Sequence, residues 1–197
     1  MLRTSVLLLT LSVGLLAQKR EVTVVLEFAA GSSPHAREEM QLEAERIAQK
    51  AGVALTFMSP QLAAGQSFAE LIVFKVKGRC EMAGFPSTPM ERGPLGWTFI
   101  TDDRILPFGE LQCDRIRESL RSVVAGAGQE KGNKLLGRAM GRVVAHELFH
   151  MLTESTSHGK SGVAKDSLSA RQLVAETLDF SDHDVSALDA DRYNMGR

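Results

Sequence analysis

Apolar and polar positions along the chain change period several times, and each change marks an element. Glu21 to Phe28 is rich in β-branched residues and reads as a strand. After a turn at 29–34, Ser33 and Pro34 form a cap and first-turn pair. The spacing then becomes helical to Ala51, with Met40, Ala44, Ile47, Ala48 and Ala51 on one face, and Gly52 ends the run. Val53 to Met58 and Leu71 to Val76 read as two further strands, the second apolar enough to lie inside a sheet. Seven Gly and Pro residues between Gly78 and Gly96 make that stretch a long loop, a kind of segment that tends to be functional. Trp97–Thr101 and Arg104–Phe108, joined by Asp102-Asp103, predict a hairpin. Leu111 to Val124 predicts a helix, Gly126 to Gly132 a break, and Asn133 to Leu152 a long helix. From Ser167 on, one or two short polar helices are expected. These elements spell an α+β fold in one domain, residues 18–197, with helices packed on a mixed sheet and one long site helix.

The first seventeen residues follow a different logic. Met1-Leu2-Arg3 gives a positive start, Ser5 to Leu16 is dominated by Leu and Val, and Ala17 precedes Gln18-Lys19-Arg20. This is the layout of a secretory signal, with an apolar run shorter than the roughly 20 residues of a membrane span. The expectation is therefore an exported protein, periplasmic or extracellular, with no stable membrane insertion once residues 1–17 are removed. Export also bears on Cys80 and Cys113, the two cysteines of the chain, for which a disulfide is the expected state. The composition is 44% hydrophobic and 24% charged, with a formal net charge of −1, as in an ordinary globular domain. No basic face or aromatic RNA-binding pattern is present, so nucleic acid is not an expected partner.

The residues that carry chemistry lie in the long helix, at His146-Glu147-Leu148-Phe149-His150. Positions i and i+4 share a helical face, so both imidazoles can point at one ion, a separation that suits tetrahedral zinc. Glu147 is rotated by about 100° from His146. That places its carboxylate beside the open coordination position, where it can act as general base and then general acid. A catalytic zinc commonly takes a third protein ligand. His158, in the turn-like Ser155–Gly159, is the first choice; Glu154 and Glu176 are the acidic alternatives. His183 reads as solvated or supporting, and Tyr193 as a candidate electrophile or a plain tail residue.

This signature resembles the zincins, the HExxH zinc metallopeptidases, and within them the metzincin-like group, whose third His follows the site helix in a loop. The usual metzincin pattern HExxHxxGxxH is not met, since Thr153 stands at the glycine and Thr156 at the third His. The longer spacing is similar to exported bacterial proteins in which seven residues separate HExxH from a further His, then Gly-Ile-Met. Here His158 matches that His, and Gly162-Val163-Ala164 stands where Gly-Ile-Met would. The resemblance covers about twenty residues. It implies one zinc ion on His146, His150 and His158, water activated by Glu147, and a peptide or protein substrate. The alternative is an exported zinc-binding or interaction domain that keeps the fold without catalysis.

Overall fold

The computed structural model describes residues 19–29, 31–83, 85, 90 and 93–194; the segment 1–17 read as an export signal lies outside them. The side chain of Tyr193 also lies outside the described part. Strand β1 (Arg20–Phe28), helix α1 (Pro34–Lys50) and strand β2 (Val53–Met58) form a parallel strand–helix–strand unit. The Ser33 side chain accepts the Ala36 N–H, Pro34 fills the first turn, and the chain leaves α1 through Ala51 and Gly52 at φ 75°. A single turn, α2 (Pro60–Ala63), uses the same Ser-Pro start, with Ser59 accepting from Leu62; the sequence reading passed over it. Strand β3 (Leu71–Lys77) then pairs parallel with the other edge of β1.

Strands β4 (Gly96–Thr101) and β5 (Arg104–Gln112) form the expected hairpin. Asp102 and Asp103 take φ of 47° and 60°, the two left-handed residues of a tight turn whose twist suits flanking strands. The five-stranded sheet runs β2-β1-β3-β5-β4, and β4, the antiparallel member, lies at an edge. Where the pattern predicted a helix from Leu111, the chain stays in β5 to Gln112, because 108–112 pairs in parallel with 73–77 of β3. Helix α3 (Cys113–Leu120) accordingly starts later and ends earlier than the expected span. Helix α4 (Gln129–Thr153) gains a first turn, whose polar residues gave no apolar period to read. Two short helices follow, α5 (Ala170–Val174) and α6 (Asp182–Asn194).

One face of the sheet is covered. Val22, Val24 and Leu26 of β1 and Ile72, Phe74 and Val76 of β3 join one buried cluster with α1 and α4. On the other face Glu21, Glu27, Lys75 and Lys77 stay exposed. The architecture is thus the expected α+β fold, a mixed sheet with helices packed on it. The disulfide between Cys80 and Cys113 ties the end of β3 to the start of α3 across a sequence separation of 33. Closing a loop of that size is worth roughly 3–4 kcal/mol in the chain-entropy account. Among the described residues no helix is long and apolar enough to cross a membrane.

The contact that sets the position of α4 is with α1. A Cβ on Gly141 would lie 2.7 Å from the Met40 carbonyl oxygen and 2.8 Å from Glu43 Cβ. Next to this close approach Arg142, with no exposed surface, donates to Glu43 Oε1 at 2.7 Å. Its other nitrogens donate to the carbonyls of Gln172 in α5 and Ala175 at its end, which fastens α5 to the same helix. The substitution Gly141→Ala gains about 1 kcal/mol of helix propensity. It meets backbone that cannot step aside, an overpacking cost of roughly 1–3 kcal/mol. Thermal denaturation is expected to show a lowered Tm; a raised Tm would mean the two helices do not touch here.

Candidate metal centre

Helix α4 presents His146 and His150 one turn apart on the face turned toward β4 and the segment after the helix. The helix ends at Thr153, and Glu154 serves as C-cap in a left-handed conformation (φ 45°, ψ 35°), bonding its N–H to the His150 carbonyl. That reversal sends the chain back past the histidines. His150 Nδ1 donates to the Ser155 carbonyl at 2.7 Å, and His146 Nδ1 donates to the Val163 carbonyl at 3.0 Å. A carbonyl can only accept, so each Nδ1 carries the proton and each Nε2 of the neutral rings keeps a lone pair. The two Nε2 atoms face one another at 3.2 Å. Bonds of about 2.0–2.1 Å from two nitrogens to one tetrahedral ion give an edge of about 3.3 Å, so the pair is spaced for a shared cation.

His158 closes the group. Its ring centroid lies 5.2 Å from that of His146 and 4.8 Å from that of His150. One ligand nitrogen from each of the three rings falls within 4.8 Å of the others, so these imidazoles can hold a metal ion. His158 is more exposed than the other two, and its Nδ1 is 3.6 Å from Asp166 Oδ1. The acidic alternatives do not join this group: Glu154 is the exposed C-cap, and Glu176 is exposed on the chain beyond α5. His183, 89% exposed in the first turn of α6, stands apart from it as well.

Burial sets the protonation of the site. It pushes the His146 imidazole down to about 4, outweighing the hydrogen bond to Val163, and it pushes His150 down too. Both rings therefore stay neutral and able to donate electron pairs near pH 7. Burial acts on Glu147 in the opposite sense, raising its carboxyl to about 7 against a hydrogen bond from Thr98. Thr98 Oγ1 donates to Glu147 Oε2 at 2.9 Å from strand β4. The strand can come this close because it begins at Gly96, whose absent Cβ would lie 2.7 Å from Val143 Cγ1 and 3.3 Å from Glu147 Oε1.

Two supporting features escaped the sequence reading. Thr98 gave no signal, since a Thr in a strand is ordinary. The Arg142–Glu43 pair did leave one: each is a charge on an otherwise apolar helical face, Glu43 between Met40 and Ile47 and Arg142 beside Val143. Arg46 extends the pair by bonding Glu43, Asp179 and the Leu178 carbonyl. Asp179 in turn accepts the Val163 N–H through its backbone carbonyl at 2.9 Å. A continuous set of polar contacts thus runs from α1 to the carbonyl that orients His146.

The three rings and Glu147 open into a cleft of about 1220 Å³, walled by 93–98, by α3 and by 165–173. No family model matches the sequence, and no curated protein matches it. The fold is similar to that of an archaemetzincin from Methanopyrus kandleri whose crystal structure is known. The TM-score is 0.54 at 11% sequence identity, over 90% of this chain and 97% of that one.

The buried carboxyl has a measurable consequence in metal-free protein. Its proton is held more tightly folded (about 7) than unfolded (4.5). The native state therefore binds more protons between those values, and this contribution falls as pH rises through them. Glu147→Gln keeps the neutral form at every pH. In chelator-treated protein it is expected to be more stable than the parent by about 3 kcal/mol at pH 8 and by about 1 kcal/mol or less at pH 5. Urea denaturation at the two pH values measures this, and a gap that does not change with pH would show that Glu147 is not buried as described.

Proposed function

We propose that the protein is an exported zinc-dependent peptidase that holds one zinc ion on His146, His150 and His158 and uses Glu147 as its proton carrier. The observation that carries the reading is the meeting of three imidazoles, two with facing Nε2 atoms 3.2 Å apart, next to a buried carboxylate at the head of a cleft. An all-imidazole donor set suits zinc. Bound there, zinc would supply a Lewis acid that polarises a carbonyl and makes water more acidic. The protein's own groups do the rest. Backbone carbonyls of Val163 and Ser155 fix the ring tautomers, and the hydrogen bond from Thr98 aims the Glu147 carboxylate into the cleft. The carboxylate accepts a proton from the attacking water and returns it to the departing amine; a carboxyl raised to about 7 is matched to that task near neutral pH.

The shape of the cleft supports a peptide substrate. Strand β4 lies at the edge of the sheet, paired with β5 on one side, and passes beside Glu147 through Thr98. An extended peptide can add to such an edge by main-chain hydrogen bonds, which brings one of its own carbonyls to the site. The archaemetzincin-like fold supports the same choice. Export is supported by the apolar run at 5–16 in the sequence and by the disulfide.

Glu147→Gln is expected to retain about one zinc per chain and to lose hydrolysis of a peptide library by at least about 100-fold. His146→Ala and His150→Ala should lose both metal and turnover. Metal analysis beside the peptide assay checks this. Full activity in Glu147→Gln would remove the proposed role. Zinc at one per chain with no hydrolysis by the parent would leave a zinc-binding domain, and zinc near zero would end the reading.

A further inference from the structure

The wall of the cleft formed by α3 carries a charge that no carboxylate among the described residues neutralises. Arg115, in the first turn of α3, lines the cleft together with Glu118 and Ser119. Glu118 is already committed: Arg121 donates to both of its oxygens, at 2.9 and 2.6 Å, and holds its carboxyl below the usual range. Among the described residues no carboxylate pairs with Arg115. Its one side-chain hydrogen bond is from Nη1 to the Pro94 carbonyl at 3.2 Å. The guanidinium packs over Gly93, where a Cβ would fall 2.7 Å from Cζ. The side chain is thus partly covered and oriented by that hydrogen bond and the packing on Gly93, with most of its donors unmatched among the described residues.

The surroundings select what those donors suit. Leu95, Ile105 and Leu168 line the same cleft among its polar groups, and the partial shielding they give strengthens a charged contact formed there. A planar guanidinium offers two parallel N–H donors, the fork that a carboxylate matches. The other cleft cation without a carboxylate partner among the described residues is Lys165, next to Asp166, whose side chain is 81% exposed. Its long flexible stem presents a point charge without that geometry. Along the chain, Pro94 is two residues from Gly96, which abuts Glu147; two residues span at most about 7 Å.

We propose that Arg115 is a specificity residue which binds a carboxylate of the peptide substrate, one or two residues from the bond placed beside Glu147. The inference rests on the reading of this cleft as a peptide site and adds the class of peptide: one that bears an acidic side chain or a free C-terminal carboxylate near the point of attack.

Binding to metal-free protein tests it independently of hydrolysis. Trp97, the sole tryptophan of the chain, lines the cleft, so its fluorescence reports occupancy. Acetylated and amidated alanine-based pentapeptides with a central Glu, Gln or Lys are titrated into chelator-treated protein. A fourth peptide carries the Gln centre and a free C-terminus. The Glu or the free-terminus peptide is expected to bind about tenfold more tightly than the amidated Gln peptide, and which of the two does so identifies the source of the carboxylate. Arg115→Gln should erase the difference and Arg115→Glu should turn preference toward Lys, each with an unchanged Tm. Equal binding of all four peptides, no binding by any, a preference that survives Arg115→Gln, or one abolished by Lys165→Gln instead would each overturn the proposal. Because no metal is present in the assay, a failure to hydrolyse peptides leaves these outcomes readable.

Discussion

The ion pair between Arg142 and Glu43 is the constraint on which the candidate site depends. A guanidinium with no exposed surface can be kept charged only if its donors are met, and here Glu43, Gln172 and Ala175 meet them. Removing one partner of such a pair leaves a buried charge uncompensated, typically at 3–5 kcal/mol, which is far more than the pair contributes over an apolar replacement. Its value here is therefore positional. It fixes the rotation of α4 against α1 one turn before His146, and it pins α5 to the same point. Through Arg46 and Asp179 the chain after α5 carries Val163, and the Val163 carbonyl selects which nitrogen of His146 bears its proton.

The arrangement of protons at the histidines is the second consequence of burial. Two neutral imidazoles with facing lone pairs repel one another, and a shared cation, a proton or water entering from the cleft relieves that. Glu147, buried beside them, is likewise poorly served by the fold alone: its charge has one hydroxyl for a partner. The same desolvation that depresses the histidines raises this carboxyl. Local stability has been given up around groups that function would need, a usual property of sites and not of cores.

Much of this was readable from residue order, for identifiable reasons. The strands before the site helix are runs of β-branched residues bounded by Ser-Pro or Gly, and those local signals fixed β1, α1, β2 and β3 to within a residue or two. The convergence of His146 and His150 follows from helical period alone. The length of β5 was not readable, because Leu111 and Gln112 are held by a partner strand far away in sequence, and tertiary pairing overrides local preference. The end of α4 was placed one residue early, at Leu152, since a glutamate and not a glycine takes the left-handed position at residue 154. His158 could be nominated from its spacing, but whether its ring comes back depends on that turn. Thr98 and the Val163 carbonyl were invisible: one is an ordinary strand residue, and the other contributes only backbone.

The order of these residues in the chain separates two tasks. All three histidines fall between 146 and 158, whereas pairing β1 with β3 joins Thr23 to Leu71. An ion meeting the unfolded polypeptide would find the same three rings at short range, since closing so small a loop costs little entropy. What the unfolded polypeptide lacks is the choice of nitrogen, which needs carbonyls that are set only once distant strands and helices have assembled. Any affinity of the loose segment for an ion would thus be unselective, and the choice of one coordination geometry belongs to the finished scaffold. Should the denatured ensemble compete for an ion, it would dilute the stabilisation that binding confers.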